Sequence, residues 1–192
     1  MPDPAGSRRS VPDDRLRDLF EAHHDALLAY AGRRCASLTD AEDVVADVFL
    51  VAWRRLDSVP DGDAARLWLY GVARRTIDNQ RRSLRRRLRL QSRLADTAER
   101  PSQPAPSGAE PALEALSRLP ANDQELLRLV AWEELSHAEI ASVLDISVNA
   151  VAIRLHRARA NFEEAMTKGS GGWRTWPWVK GSPSRRPSRE KP

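Results

Sequence analysis

The chain has 192 residues, of which 41% are hydrophobic and 30% charged, with a formal net charge of +4. That length holds one ordinary domain or two small ones, and the composition is that of a globular chain. A single cysteine, Cys35, excludes an intramolecular disulfide or a zinc cluster, so no metal or other cofactor is expected.

No uncharged apolar run approaches a bilayer-spanning length, so no membrane insertion is expected. Residues 1–14 lack the apolar core of an export signal, and the cytoplasm is the expected location. The modest net charge conceals a segregation. Residues 13–63 carry six Arg and twelve acids, net −6, whereas 64–93 carry ten Arg and only Asp78, net +9. Residues 112–166 have five Arg against nine acids, net −4, and residues 167–192 are net +6. One intensely basic block in a mildly basic chain points to a polyanion bound at a defined face, with a solvated helix surface as the alternative.

Residues 1–12 are polar, hold three Pro and are expected to be disordered. From Leu16, apolar residues recur at steps of three and four through Leu19, Phe20, Leu27, Tyr30 and Ala31, which predicts a helix. A second helix follows. Thr39 with Glu42 reads as its capping box, and Ala41, Val44, Val45, Val48, Phe49, Ala52, Trp53 and Leu56 form one apolar stripe. Ser58, Val59, Pro60, Asp61, Gly62 and Asp63 read as a loop. A third helix starts near Ala64, carries Leu67, Trp68, Tyr70, Val72, Ala73 and Ile77, and then turns Arg-rich.

These three helices define a first domain over 13–93. Residues 94–111, with four Pro and a Gly, read as a flexible linker whose 18 residues reach at most about 60 Å. Leu113, Leu116 and Leu119 reopen the periodicity. Asn122 with Glu125 reads as an N-cap pair for a helix through Leu126, Leu127, Val130 and Trp132. The second domain is expected over 112–167. Residues 168–192 form a basic tail with Trp173, Trp176 and Trp178, predicted disordered; exposed Trp clusters are unusual without a partner.

The most specific local signal lies at 136–160. Ser136 and Glu139 form a capping box ahead of Ile140, Ala141, Val143 and Leu144. A break at Asp145, Ile146 and Ser147 precedes a second helix with Val151 and Leu155 inward. A helix-turn-helix needs a small residue at the helix crossing, a turn residue tolerant of positive φ, and a branched residue locking the second helix. Ala141, Asp145 and Val151 meet those needs at spacings of four and six. With Ser147 as cap, the outer face would offer Asn149, Arg154, His156, Arg157 and Arg159, with no acid before Glu163. That suits an element entering a major groove.

These residues together resemble an extracytoplasmic-function (ECF) sigma factor of the minimal two-domain kind, over about 16–165. Asp40, Ala41, Glu42, Asp43, Val44 and Val45, with Phe49, Ala52 and Trp53, are similar to that family's polymerase-clamp helix. Residues 68–75 with Asn79, Arg81 and Arg82 resemble its −10 and strand-melting segment. Leu119, Pro120, Glu139, Ile140, Ala141, Val151 and 154–159 resemble its −35 reader. The resemblance implies an all-α fold of two small helical domains on a flexible linker, the second containing the helix-turn-helix.

It implies core RNA polymerase and promoter DNA as partners, and an anti-sigma factor as a further partner class. Asp43, Asp47, Phe49 and Arg54 would bind polymerase. Trp68, Tyr70, Arg74, Arg75, Asn79, Arg81 and Arg82 would bind the −10 region, and the 58–65 loop would capture an extruded base. Ser147, Asn149, Arg154, His156, Arg157 and Arg159 would bind the −35 element.

Three departures stand out. Asp145 replaces the usual turn Gly, Arg75 stands where many members have Asn, and Ala152 with Ile153 fill a place often held by a basic residue and Ser. The last leaves the −35 preference open. A stand-alone helix-turn-helix regulator is the competing reading, but it gives no role to the acidic second helix or the Arg-rich third. Catalysis finds little support: no Gly-rich phosphate loop and no nucleophile–base pairing is legible. His23, His24, Asp40, Glu42 and Asp43 are expected on solvated faces.

Overall fold

The computed structural model describes residues 11–94 and 111–168, and all regular structure among them is helical. The expected disorder of residues 1–12 falls almost wholly outside the described residues, as do most of the linker and the Trp-containing tail. Two compact units result, one built on three helices and the other on four.

The first unit opens with α1, Val11–Gly32, which begins before Leu16 and inside the segment expected to be disordered. Leu19, Leu27, Tyr30 and Ala31 are its buried stripe. Its C-terminus has no Gly cap and is closed by arginines instead. The amides of Arg34 and Cys35 both donate to the Ala31 carbonyl at 2.8 Å. Arg34, only 6% exposed, donates from Nη1 to the Tyr30 carbonyl at 2.9 Å and lays its guanidinium 3.5 Å from the Tyr30 ring centroid. Cations at a helix C-terminus offset its orphan carbonyls and dipole.

Helix α2, Leu38–Arg54, buries Ala41, Val44, Val45, Val48, Phe49 and Ala52, as the stripe predicts. Its cap differs from expectation. Ser37, not Thr39, is the N-cap, and its Oγ accepts from the Asp40 amide at 3.1 Å. Trp53 also leaves the stripe and is 56% exposed. Helix α3, Asp63–Leu94, runs 32 residues, about 48 Å. Among the described side chains, its buried apolar residues, Ala65, Leu69, Tyr70, Val72, Ala73 and Ile77, lie in the first half. The second half is mostly Arg and Leu, both strong helix formers, so the helix continues past its core.

The second unit comprises α4 (Pro111–Ser117), α5 (Ala121–Ala131), α6 (His137–Leu144) and α7 (Val148–Lys168). Pro111, assigned above to the linker, is the first residue of α4, where a fixed φ and a missing N–H cost nothing. The expected Asn122–Glu125 cap is not formed. Pro120 occupies the N-cap with no side-chain bond, and Gln124 Nε2 donates to the Leu119 carbonyl at 2.9 Å. Leu126, Leu127, Leu129, Ile140, Val151, Leu155, Ala158, Phe162 and Met166 are buried in this unit.

Candidate polymerase and nucleic-acid interfaces

The α6–α7 turn is built as the sequence predicts. Ser136 and Glu139 form a reciprocal capping box: the Ser136 amide donates to Glu139 Oε2 at 2.8 Å, and the Glu139 amide to Ser136 Oγ at 3.3 Å. Asp145 adopts φ 55°, and the Ile146 amide donates to the Ala141 carbonyl at 3.1 Å. That left-handed residue with a six-to-one bond is a Schellman closure, here made by Asp in place of Gly. Ser147 Oγ accepts from the Ala150 amide at 3.2 Å and starts α7. A second left-handed residue, Glu134 at φ 52°, reverses the chain between α5 and α6 and was not legible beforehand.

On α7, Asn149, Arg154, His156 and Arg157 are exposed, while Arg159 is half-buried. At about 100° per residue, Arg159 falls on the flank beside the core stripe of Val151, Leu155 and Ala158, which accounts for its lower exposure. Arg157 Nη2 lies 3.8 Å from Asp123 Oδ1 on α5. The segment from Ser147 to Asn161 contains no acid, so the outward face is uniformly neutral or positive.

On α3 the expected DNA residues divide. Trp68, Arg75, Asn79, Arg82 and Arg86 fall in one row along the helix by periodicity, with Trp68 half-buried and the others exposed. Asn79 Oδ1 accepts from Arg82 Nη2 at 2.6 Å, which fixes that guanidinium against the helix. Tyr70 is not on this face. It is 3% exposed and stacks on Tyr30 of α1, with ring centroids 4.8 Å apart and planes 17° from parallel. Arg74 is half-buried, 3.9 Å from the Asp78 carboxylate, and Arg81 donates to the Arg34 carbonyl at 2.6 Å. Tyr70 and Arg81 therefore hold the unit together, whereas Arg75, Arg82, Arg85, Arg86 and Arg87 present charge outward.

On α2, Asp43, Asp47, Leu50 and Arg54 share one row at steps of four, three and four, and all are exposed. Phe49 is not in this row: it is buried on another side of α2, its ring 4.8 Å from that of Phe20 on α1. It packs α2 against α1.

Arg15 of α1 was missed by sequence reasoning, because its partners lie 41 to 46 residues away and leave no local signal. Its Nη1 donates to the Leu56 carbonyl at 3.0 Å, and its Nη2 to the Val59 carbonyl at 2.7 Å and Asp61 Oδ1 at 2.8 Å. The loop between α2 and α3 is thus clamped from α1, and Gly62 at φ 63° completes its turn.

Among the described residues no group of three or more His, Cys, Asp or Glu is arranged to hold a metal ion, and no helix is long and apolar enough to cross a membrane. Burial, with Asp40 nearby, pushes the Cys35 thiol above its ordinary range against the pull of Arg81 and Arg34, which makes it a poor nucleophile.

The family model for Sigma-70 region 2 matches residues 19–87, and that for Sigma-70 region 4 matches 109–162. RNA polymerase sigma factor YlaC of Bacillus subtilis is 32% identical over 162 residues, covering 81% of this chain and 94% of its own length. ECF RNA polymerase sigma factor SigL of Mycobacterium tuberculosis is 34% identical over 150 residues, 74% of this chain and 84% of that one. The chain belongs to the ECF RNA polymerase sigma factors. The solved structure of CnrH in complex with the cytosolic domain of CnrY agrees, with a TM-score of 0.56 at 30% identity over 81% of this chain and 89% of that one.

As a sigma factor, the protein binds core RNA polymerase and directs it to promoters. A stand-alone regulator is not favoured, because the region 2 match covers residues 19–87, most of the first unit, which that reading leaves idle.

Proposed function

We propose that three separate surfaces divide the work of initiation. The exposed α2 row of Asp43, Asp47 and Arg54 docks on a basic surface of core polymerase, on a helix that Phe49 packs against α1. The outward α3 row of Trp68, Arg75, Asn79 and Arg82 holds the −10 region, and the 58–65 segment, anchored at Val59 and Asp61 by Arg15, meets the opened strand. The α7 face of Asn149, Arg154, His156 and Arg157 reads the −35 element, with Ser147 fixing the start of that helix.

The observation that carries this reading is the separation of exposed charge: acids on α2, arginines on the outer end of α3, and an acid-free face on α7. Positive faces on two units suit two DNA elements bound at once, because neutralising phosphates releases counterions at each site. The factor carries no catalytic step of its own and works wherever the polymerase does, in the cytoplasm. An anti-sigma factor would act by covering one of these faces.

Run-off transcription with purified core on a randomised promoter library tests the assignment. Both elements should emerge with a fixed spacing, and transcription should vanish without core or without this chain. Selection of only one element would overturn the division of labour.

A further inference from the structure

The outward face of α7 centres on an apolar side chain, Ile153; Val148, the other exposed large apolar residue of this helix, lies on the flank beside the buried stripe. The buried stripe of α7 is Val151, Leu155, Ala158 and Phe162. At about 100° per residue, Ile153 lies on the opposite side of the helix from that stripe, at the centre of the outer face. It is 63% exposed. Asn149 lies one turn before it, and His156 and Arg157 one turn after; all three are exposed. Ile153 is the sixth residue of a 21-residue helix that starts at the Ser147 cap, within the N-terminal part that reaches base edges in a helix-turn-helix.

A lone exposed apolar side chain usually carries no message. Position makes this one different. The floor of the major groove has one apolar feature, the 5-methyl group of thymine, and its remaining edges are hydrogen-bonding atoms. An isoleucine cannot satisfy those atoms and would strand them. Against a methyl group it removes apolar surface from water, and its β-branched side chain has few rotamers to lose on contact. The positive charge of the flanking Arg154 and Arg157 attracts the face to DNA, and neither side chain requires thymine.

We propose that Ile153 reads the 5-methyl group of one thymine in the −35 element by apolar contact. The inference rests on the assignment of α7 to that element. It gives the −35 preference of this chain an A·T position selected by a methyl group.

The test uses holoenzyme reconstituted from the full chain and purified core, on a promoter drawn from the randomised library. Each −35 thymine, on either strand, is replaced by uracil, which keeps every hydrogen-bonding atom and lacks only the methyl. One such replacement should weaken wild-type binding about fourfold, the worth of one buried methyl-sized group. Ile153→Ala, whose helical spectrum should be unchanged at so exposed a site, should bind thymine and uracil promoters alike. Ile153→Val should retain part of the discrimination, and Arg154→Ala should retain all of it.

The proposal is overturned if no replacement affects the wild type, if Ile153→Ala keeps the penalty, or if the selected −35 element holds no A·T pair. Scrambling the whole −35 element separates the two levels. If scrambling leaves wild-type binding unchanged, the assignment of α7 fails and takes Ile153 with it. If scrambling weakens binding while uracil does not, only the Ile153 proposal falls.

Discussion

Asn161 Nδ2 on α7 donates to Oδ2 of Asp123 on α5 at 2.7 Å, and that carboxylate belongs to a residue 2% exposed. A buried charge is tolerable only when its lone pairs are engaged. Asp123 lies in the first turn of α5, where an acid also offsets the helix dipole, and Arg157 approaches its other oxygen at 3.8 Å. Asn161→Ala strands the carboxylate and should cost the second unit about 1.5–3 kcal/mol, the usual range for a hydrogen bond to a charged group. Asp123→Ala should cost a similar amount. The double variant should lose less than the sum of the two, by urea denaturation. Strictly additive losses would show that the pair is not coupled.

Arg15 joins α1 to the loop that the −10 assignment depends on. Removing it frees two carbonyls and a carboxylate at once. Arg15→Ala should leave the helical spectrum and core binding intact and lower the yield of open complexes, with closed complexes preserved. Arg15→Lys should not rescue, because a single ammonium cannot reach Leu56, Val59 and Asp61 as the guanidinium fork does. Permanganate reactivity of opened thymines provides the readout. Wild-type opening by Arg15→Ala refutes a role for the clamp.

The arginines of α3 should separate into two classes. Arg75→Ala and Arg82→Ala should each lower the salt slope of promoter binding by about one unit, with no change in melting temperature. Arg81→Ala should instead destabilise the first unit by about 1–3 kcal/mol, because it removes the donor to the Arg34 carbonyl. An Arg81 variant with normal stability and a reduced slope would reverse this assignment.

Charge reversal of Asp43 and Asp47 should weaken core binding while leaving α2 helical, since both side chains are exposed and Val44, Val45 and Val48 carry the packing. Affinity for core, measured by fluorescence titration of labelled protein, is the test. If the doubly reversed protein binds core as tightly as wild type, this row is not the docking surface.

His23 is half-buried on α1. Burial lowers its pKa below the ordinary 6.5, Arg66 lowers it further, and Asp63 opposes both. The unfolded chain therefore takes up a proton at higher pH than the fold does. The sign follows: the contribution of neutral His23 is intact above about 6.5 and is eroded as pH falls below it, down to the depressed folded value. His23→Gln should flatten the loss of stability between pH 7.5 and 5.5. An unchanged pH profile in that variant would assign the loss to other groups.

The helices and the helix-turn-helix were legible because their signals are local. Periodicity exposes a core stripe, the Ser136–Glu139 box spans a single turn, and the spacing of Ala141, Asp145 and Val151 encodes one crossing and one bend. The segregation of acids onto α2 and arginines onto α3 is equally plain in the sequence, since a helix projects whatever its stripe does not bury.

What only the tertiary structure decided are choices between residues that look alike from inside their own segment. Ser37 and Thr39 are both hydroxyl residues with an acid three positions later, and the chain takes Ser37. Trp68 and Tyr70 lie two apart on nearly opposite sides of α3, and Tyr30 of α1 draws Tyr70 into the core. Arg74, Arg75, Arg81 and Arg82 have the same chemistry, yet the Arg34 carbonyl on another segment makes Arg81 structural and leaves Arg75 and Arg82 outward. The Arg15 clamp and the Asp123–Asn161 bond span 38 to 46 residues. Pattern within a helix fixes which faces exist. Which side chain on a face stays available to a partner depends on what a distant segment brings against it, and that is a property of packing.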